Sequence, residues 1–134
     1  MTALDDAPQS AGDTTVATVS TWVPVCTLDQ LTVGRGVAAL VGTTQVAVFR
    51  LSDGADTLRV VDNIDPFGRA AVMSRGLIGD RNGEPTVASP LLKQVFSLES
   101  GACLDDESQA LRTYPVRVVD GMVEVGIIET SDTR

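Results

Sequence analysis

The 134 residues suffice for one domain with an ordinary hydrophobic core, and 43% hydrophobic against 21% charged residues is a globular composition. The net charge of −8 argues against a phosphate backbone or an anionic membrane surface, so neither nucleic acid nor membrane is an expected partner. There is no histidine and there are two cysteines, Cys26 and Cys103, which excludes imidazole acid–base chemistry, Ser-His-Asp and Cys-His triads, histidine-ligated metals and a disulfide scaffold.

Residues 1–21 read MTALDDAPQSAGDTTVATVST, acidic at Asp5, Asp6 and Asp13, without the basic start or apolar run of an export signal. This composition predicts a disordered tail, an ordered chain beginning near Trp22, and a cytoplasmic setting in which both thiols stay reduced. No stretch approaches the roughly 18–20 apolar residues of a membrane span. Trp22-Val23-Pro24-Val25 alternates as a first strand with the indole packed inside. Thr27 to Leu31 predicts one helical turn, capped by Thr27 with Gln30 at its third position.

Short β-type runs follow: Val37 to Val41, Gln45 to Leu51 and Leu58 to Asp62, separated by the turns Gly42-Thr43-Thr44 and Ser52-Asp53-Gly54. Near the other end, Tyr114 to Val119 and Met122 to Ile128 flank Asp120-Gly121, a strong hairpin signal with one face to bury. Ser108 to Arg112 is a second short helical candidate, and residues 129–134 read as a frayed terminus. Six prolines and twelve glycines leave no window for a long amphipathic helix, so the fold class is all-β, a sandwich or small barrel over 22–128.

The segment Asp62 to Gly101 differs in style, with two proline elbows 24 positions apart, Asp65-Pro66-Phe67 and Ser89-Pro90-Leu91-Leu92. Together they read as a two-loop clamp. The segment is locally basic: Arg69, Arg75, Arg81 and Lys93 against Asp80 and Glu84 give +2 between Pro66 and Leu98. Asp62 and Asp65 lack the further acidic ligands of a calcium or magnesium site; such residues cap turns or pair with arginine, and Arg69 and Arg75 are the local candidates for pairing. Cys103 precedes Asp105, Asp106 and Glu107, which favour a neutral thiol, so it and Cys26 read as structural; that acidic loop reads as a solvated excursion.

These strings resemble a Rieske-type domain, in which Cys-Pro-His and Cys-Pro-x-His loops hold a [2Fe–2S] cluster. Val95-Phe96-Ser97-Leu98, Gly101, Tyr114-Pro115-Val116 and Gly121 to Val125 extend the match over about 22–128. The resemblance places Asp65 and Ser89 at the cysteine positions and Phe67 and Leu92 at the histidine positions, so the fold it implies is a Rieske-like domain with a two-loop subdomain at 62–101 and no iron–sulfur cluster. One branch of the family has this character: the small subunit of the bacterial NAD(P)H-dependent assimilatory nitrite reductase. Ala88-Ser89-Pro90-Leu91-Leu92-Lys93-Gln94, Ser74-Arg75-Gly76 and Glu84-Pro85 are similar to it. That resemblance implies a non-catalytic subunit without a cofactor of its own. It also implies a large-subunit partner that carries flavin, [4Fe–4S] and sirohaem and reduces nitrite to ammonium.

Phe67 and Leu92 then fill the volume the cluster leaves or, with Leu91, Lys93 and Gln94, face the partner, two roles that do not exclude each other. The competing functions are an accessory module of another oxidoreductase and a stand-alone electron carrier, the latter requiring a redox centre.

Overall fold

The computed structural model describes residues 19–52 and 57–128. Residues 1–18 and 129–134, and all of the expected Ser52-Asp53-Gly54 turn except Ser52, lie outside them. The strands of the described residues pair antiparallel, in three sheets. One has the order β1 (Val19–Thr27), β10 (Met122–Ile128), β9 (Val116–Val119). The second has the order β2 (Arg35–Val41), β3 (Thr44–Arg50), β4 (Leu58–Asp62), β8 (Thr113–Tyr114). The third has β5 (Leu77–Arg81), β6 (Glu84–Ala88) and β7 (Val95–Ser97).

Strand β3 explains how three sheets share one domain. Val46, Ala47, Val48 and Phe49 are all fully buried, so both faces of the strand are covered. Val46 and Val48, with Val60, Val123 and Val125, make the core between the first two sheets. Ala47 and Phe49, with Val61, Met73, Val87 and Phe96, make a second core under the third sheet. The side-chain period of two sends neighbouring residues to opposite cores.

The third sheet falls where the sequence reading places only turns and elbows. Asn82-Gly83 closes the β5–β6 hairpin with both residues at positive φ (56° and 88°), and Asp120-Gly121 closes β9–β10 in the same way (51° and 79°). That pair of left-handed residues matches the right-handed twist of the flanking strands, which is why Asn-Gly and Asp-Gly are favoured there. The Asn82-Gly83 signal was present in the sequence and is as strong as the one at Asp120.

Three local expectations are corrected. Trp22 is only partly buried and on the outer face of β1, with the Arg117 guanidinium 4.2 Å from its ring centroid; Val23 and Val25 take the inner positions. Strand β1 already includes Val19 to Thr21, ahead of Trp22, and pairs with β10 from Val19↔Ile128 onward. Ser108 to Arg112 is no helix: a turn and a bridge between Ala102 and Ala110 occupy it. The other helical turn does form, as a 3₁₀ turn over Leu28–Gln30, with the Thr27 amide donating to Gln30 Oε1 at 2.8 Å. The expected strand Tyr114 to Val119 is split at Pro115 into β8 and β9.

The free thiols sit in different cores, Cys103 buried beside Phe96 and Cys26 half-buried between the first two sheets. Burial pushes the Cys26 thiol above its ordinary range, consistent with a neutral structural side chain.

Asp62, at the end of β4, accepts from the Tyr114 hydroxyl at 2.6 Å and the Arg112 amide at 2.9 Å, tying β4 to β8. Burial first, then the bond to Asp62, raises the Tyr114 phenol well above its ordinary range. A proton held more tightly in the folded state stabilises it below the unfolded value near 10 and is lost as pH rises toward the folded value. Stability should therefore fall as pH climbs beyond about 10, with no tyrosinate absorbance until the chain unfolds; Tyr114→Phe should cost about 1 kcal/mol in urea denaturation at neutral pH and flatten part of that alkaline decline.

Candidate functional site

Both elbows are built at the mouths of strands. The first leaves β4, and its base is fixed by buried Asn63, whose Oδ1 accepts the Ser74 amide at 2.8 Å and whose carbonyl accepts the Met73 amide at 3.0 Å. A bridge between Ile64 and Ala71 closes its neck. The second elbow joins β6 to β7, between Ala88 and Val95.

Each loop is closed by the same pair of backbone bonds. Asp65 N donates to Ala70 O and Ser89 N to Gln94 O, both at 2.9 Å. Arg69 N donates to Asp65 O at 2.7 Å and Lys93 N to Ser89 O at 3.1 Å. Side chains cap the turns from within: Asp65 Oδ1 accepts the Phe67 and Gly68 amides at 2.8 and 3.2 Å, and Ser89 Oγ accepts the Leu91 amide at 3.2 Å. The loops are conformational copies without being a sequence repeat.

Where they meet, the Ser89 hydroxyl donates to Asp65 Oδ2 in a short hydrogen bond, and both residues are fully buried. Asp65 thus finds its partner in Ser89 and the loop amides; Asp62 finds Arg112 and Tyr114. Arg69 and Arg75, expected to neutralise these acids, form no ion pair with either.

The remaining predicted positions separate. Phe67 turns inward against the second core, its ring centroid 6.1 Å from that of Phe96. Leu91 crosses to the other loop, its Cδ1 lying 2.7 Å from where a Cβ on Gly68 would stand. Leu91 and Leu92 are 45% and 54% exposed, Lys93 is exposed, and Gln94 is half-buried. Two apolar residues missed in the sequence border the same region: Ile64 beside Asp65, and Leu77, 77% exposed and paired with Ala88 at the base of the second loop. The cue for Leu77 was available, since Leu77-Ile78 at a strand start must send one side chain outward. The acidic loop Asp105 to Glu107 is exposed as expected, and Asp105 also accepts the Val95 amide at 2.9 Å and pairs with Arg81 at 3.5 Å.

The loop geometry invites comparison with metal-binding domains of the same shape. Residues 21–126 match the Rieske-like [2Fe-2S] domain family. The small subunit of the NADH nitrite reductase of Salmonella typhimurium is 46% identical over 107 residues, which span 80% of this chain and 98% of that protein. The chain belongs to the family of Rieske-like nitrite reductase small subunits. The solution structure of the nitrite reductase [NAD(P)H] small subunit from Erwinia carotovora superposes with a TM-score of 0.70 at 38% identity, covering 86% of this chain and 91% of that one. A stretch of the nitrite reductase [NAD(P)H] large subunit of Klebsiella oxytoca is 44% identical over 105 residues, 78% of this chain but 11% of that protein.

The residues at this tip do not fit a Rieske-type [2Fe–2S] cluster. Its iron atoms need two thiolates and two imidazoles, whereas the four positions hold a carboxylate and a hydroxyl bonded to each other, an inward phenyl ring and an exposed isobutyl group. The Asp65–Ser89 bond occupies the place where the loops would grip a metal.

Ser89→Ala should strip a donor from the buried Asp65 carboxylate and lower stability by about 1–3 kcal/mol in urea denaturation. Phe67→Ala should cost at least about 2 kcal/mol, and Leu92→Ala should stay within about 0.5 kcal/mol, since one side chain packs on the core and the other faces solvent. Equal losses at 67 and 92 would contradict this division.

Proposed function

We propose that this chain is the non-catalytic small subunit of a cytoplasmic NAD(P)H-dependent nitrite reductase, docking through its two-loop tip and supporting a large subunit that reduces nitrite to ammonium. The observation that carries the reading is the 46% identity to a nitrite reductase small subunit across 98% of that protein. The Klebsiella large subunit, in which a similar stretch is part of the same polypeptide, supports a partnership of one copy of each. Flavin, [4Fe–4S] and sirohaem are assigned to the large subunit, and this chain contributes shape and contact rather than a redox centre. Among the described residues no helix is long and apolar enough to cross a membrane.

The tip suits this role physically. Leu91, Leu92 and Leu77 leave apolar area in water at one end of a rigid frame, and burying such area against a partner contributes about 25 cal/mol per Å². Phe67, half-buried against Phe96, serves mainly as the support beneath that surface. An electron carrier acting alone would need donors that the tip does not have.

Co-purification with the large subunit tests the reading. Leu92→Asp should weaken the complex at least about tenfold with an unchanged thermal midpoint, because an unpaired carboxylate is carried into the contact while the fold loses nothing. Phe67→Asp would disturb the core as well, so its effect on the complex is not diagnostic. Pure protein should be colourless and free of iron and acid-labile sulfide; stoichiometric iron with sulfide would defeat the assignment of a cofactor-free subunit.

A further inference from the structure

We infer that Arg69 and Lys93 form a matched cationic pair that steers the tip onto acidic side chains bordering an apolar site on the large subunit. The inference rests on the small-subunit reading and names the chemistry of the partner's face.

The argument begins with the backbone. In each loop the residue four positions after the capping Asp65 or Ser89 donates its amide back to that residue's carbonyl and adopts positive φ: 62° at Arg69 and 68° at Lys93. For a residue with a Cβ this conformation is sterically disfavoured, and the residues that visit it readily are Gly, Asn and Asp. Arginine and lysine are poor choices for the backbone. Two loops that otherwise differ in sequence nevertheless both place a cation there.

The charges do not serve the fold. Neither side chain makes a hydrogen bond or ion pair with any described residue, and both residues are exposed. Arg59, Arg81, Arg112 and Arg117 pair with carboxylates, whereas Arg35 and Arg75, exposed and likewise without an ion pair among the described residues, keep an ordinary backbone without positive φ. A strained conformation kept for a side chain without an internal partner points to use outside the chain.

Placement then specifies the partner. Arg69 follows Gly68, on which Leu91 rests, and Lys93 follows Leu92, so the two charges border one apolar knob. In a chain of net charge −8 this cationic end orients approach toward an acidic surface and away from neutral or basic ones. The fitting site is an apolar depression with carboxylates at its rim.

The test uses glycine, which removes the charge and the strain together. In the full-length chain, Arg69→Gly/Lys93→Gly should keep or raise the thermal midpoint, while the low-salt association rate with purified large subunit falls about tenfold and loses most of its salt dependence. Arg117→Gln removes a charge from the outer face of the β1–β10–β9 sheet and should change the rate less than about twofold. An unchanged rate and salt dependence in the double glycine variant, or an equal fall in Arg117→Gln, would overturn the inference and leave the small-subunit reading intact. Failure of the unaltered chain to bind the large subunit at any salt concentration would overturn both.

Discussion

Two loops that leave different sheets need something to hold them in register, and here the polar link is the hydrogen bond from Ser89 to the Asp65 carboxylate. A Rieske cluster performs the same task with four metal–ligand bonds. A single hydrogen bond is a weaker tie, and a carboxylate drawn out of water costs several kcal/mol unless donors surround it. The structure supplies three: the Phe67 and Gly68 amides from the loop itself and the Ser89 hydroxyl from its neighbour. Asp65 therefore organises its own turn first and recruits the second loop with the oxygen that remains. The position of Leu91 over Gly68 follows from that contact.

The tip inherits its rigidity from the strands beneath it. β4 runs from the first core at Val60 to the second at Val61, then through Asp62 and Asn63 directly into the first loop. β6 and β7 carry the second loop, and Phe96 of β7 receives the ring of Phe67 from the first. The elbows are thus pinned by hydrogen bonds at the level of Asp65 and by packing one layer below. Phe67 supplies volume that keeps the loops from collapsing, and a void in its place would cost roughly 24 cal/mol per Å³.

Much of this was legible in the sequence, and the gaps have physical causes. β4 and β10 occupy the expected runs, Leu58 to Asp62 and Met122 to Ile128, because β-branched runs bounded by turn residues leave few alternatives. The missing ligands follow from residue identity alone. Periodicity separates Trp22 from Val23 and Val25 but does not say which face is inside; Gly126 opposite Trp22 and Arg117 above its ring decide that, and both are distant in sequence. The third sheet escaped notice because Gly79, Pro85 and the exposed Leu77 weaken the β pattern on either side of Asn82-Gly83, leaving the turn as the best local signal. The equivalence of the two loops was invisible for a different reason. Asp-Pro-Phe-Gly-Arg and Ser-Pro-Leu-Leu-Lys share the proline and a final cation, and only the backbone bonds reveal that the cations hold corresponding places.

That correspondence bears on what the shape of the tip is for. If stability alone governed the tip, the left-handed positions would favour glycine, and Leu91 and Leu92 would favour polar residues, since their exposed area contributes little to folding. Both choices run against the stability of the isolated chain, at adjoining positions, on loops otherwise bound tightly by hydrogen bonds. A surface ordered before it meets its partner loses little conformational entropy on docking, so modest apolar area and two charges suffice for a specific contact. The same surface on floppy loops would spend much of its contact energy on ordering. In the proposed docking role the Asp65–Ser89 bond matters less for the stability it adds than for holding cations and leucines in a fixed arrangement, which is the property a cluster-binding frame also has to possess.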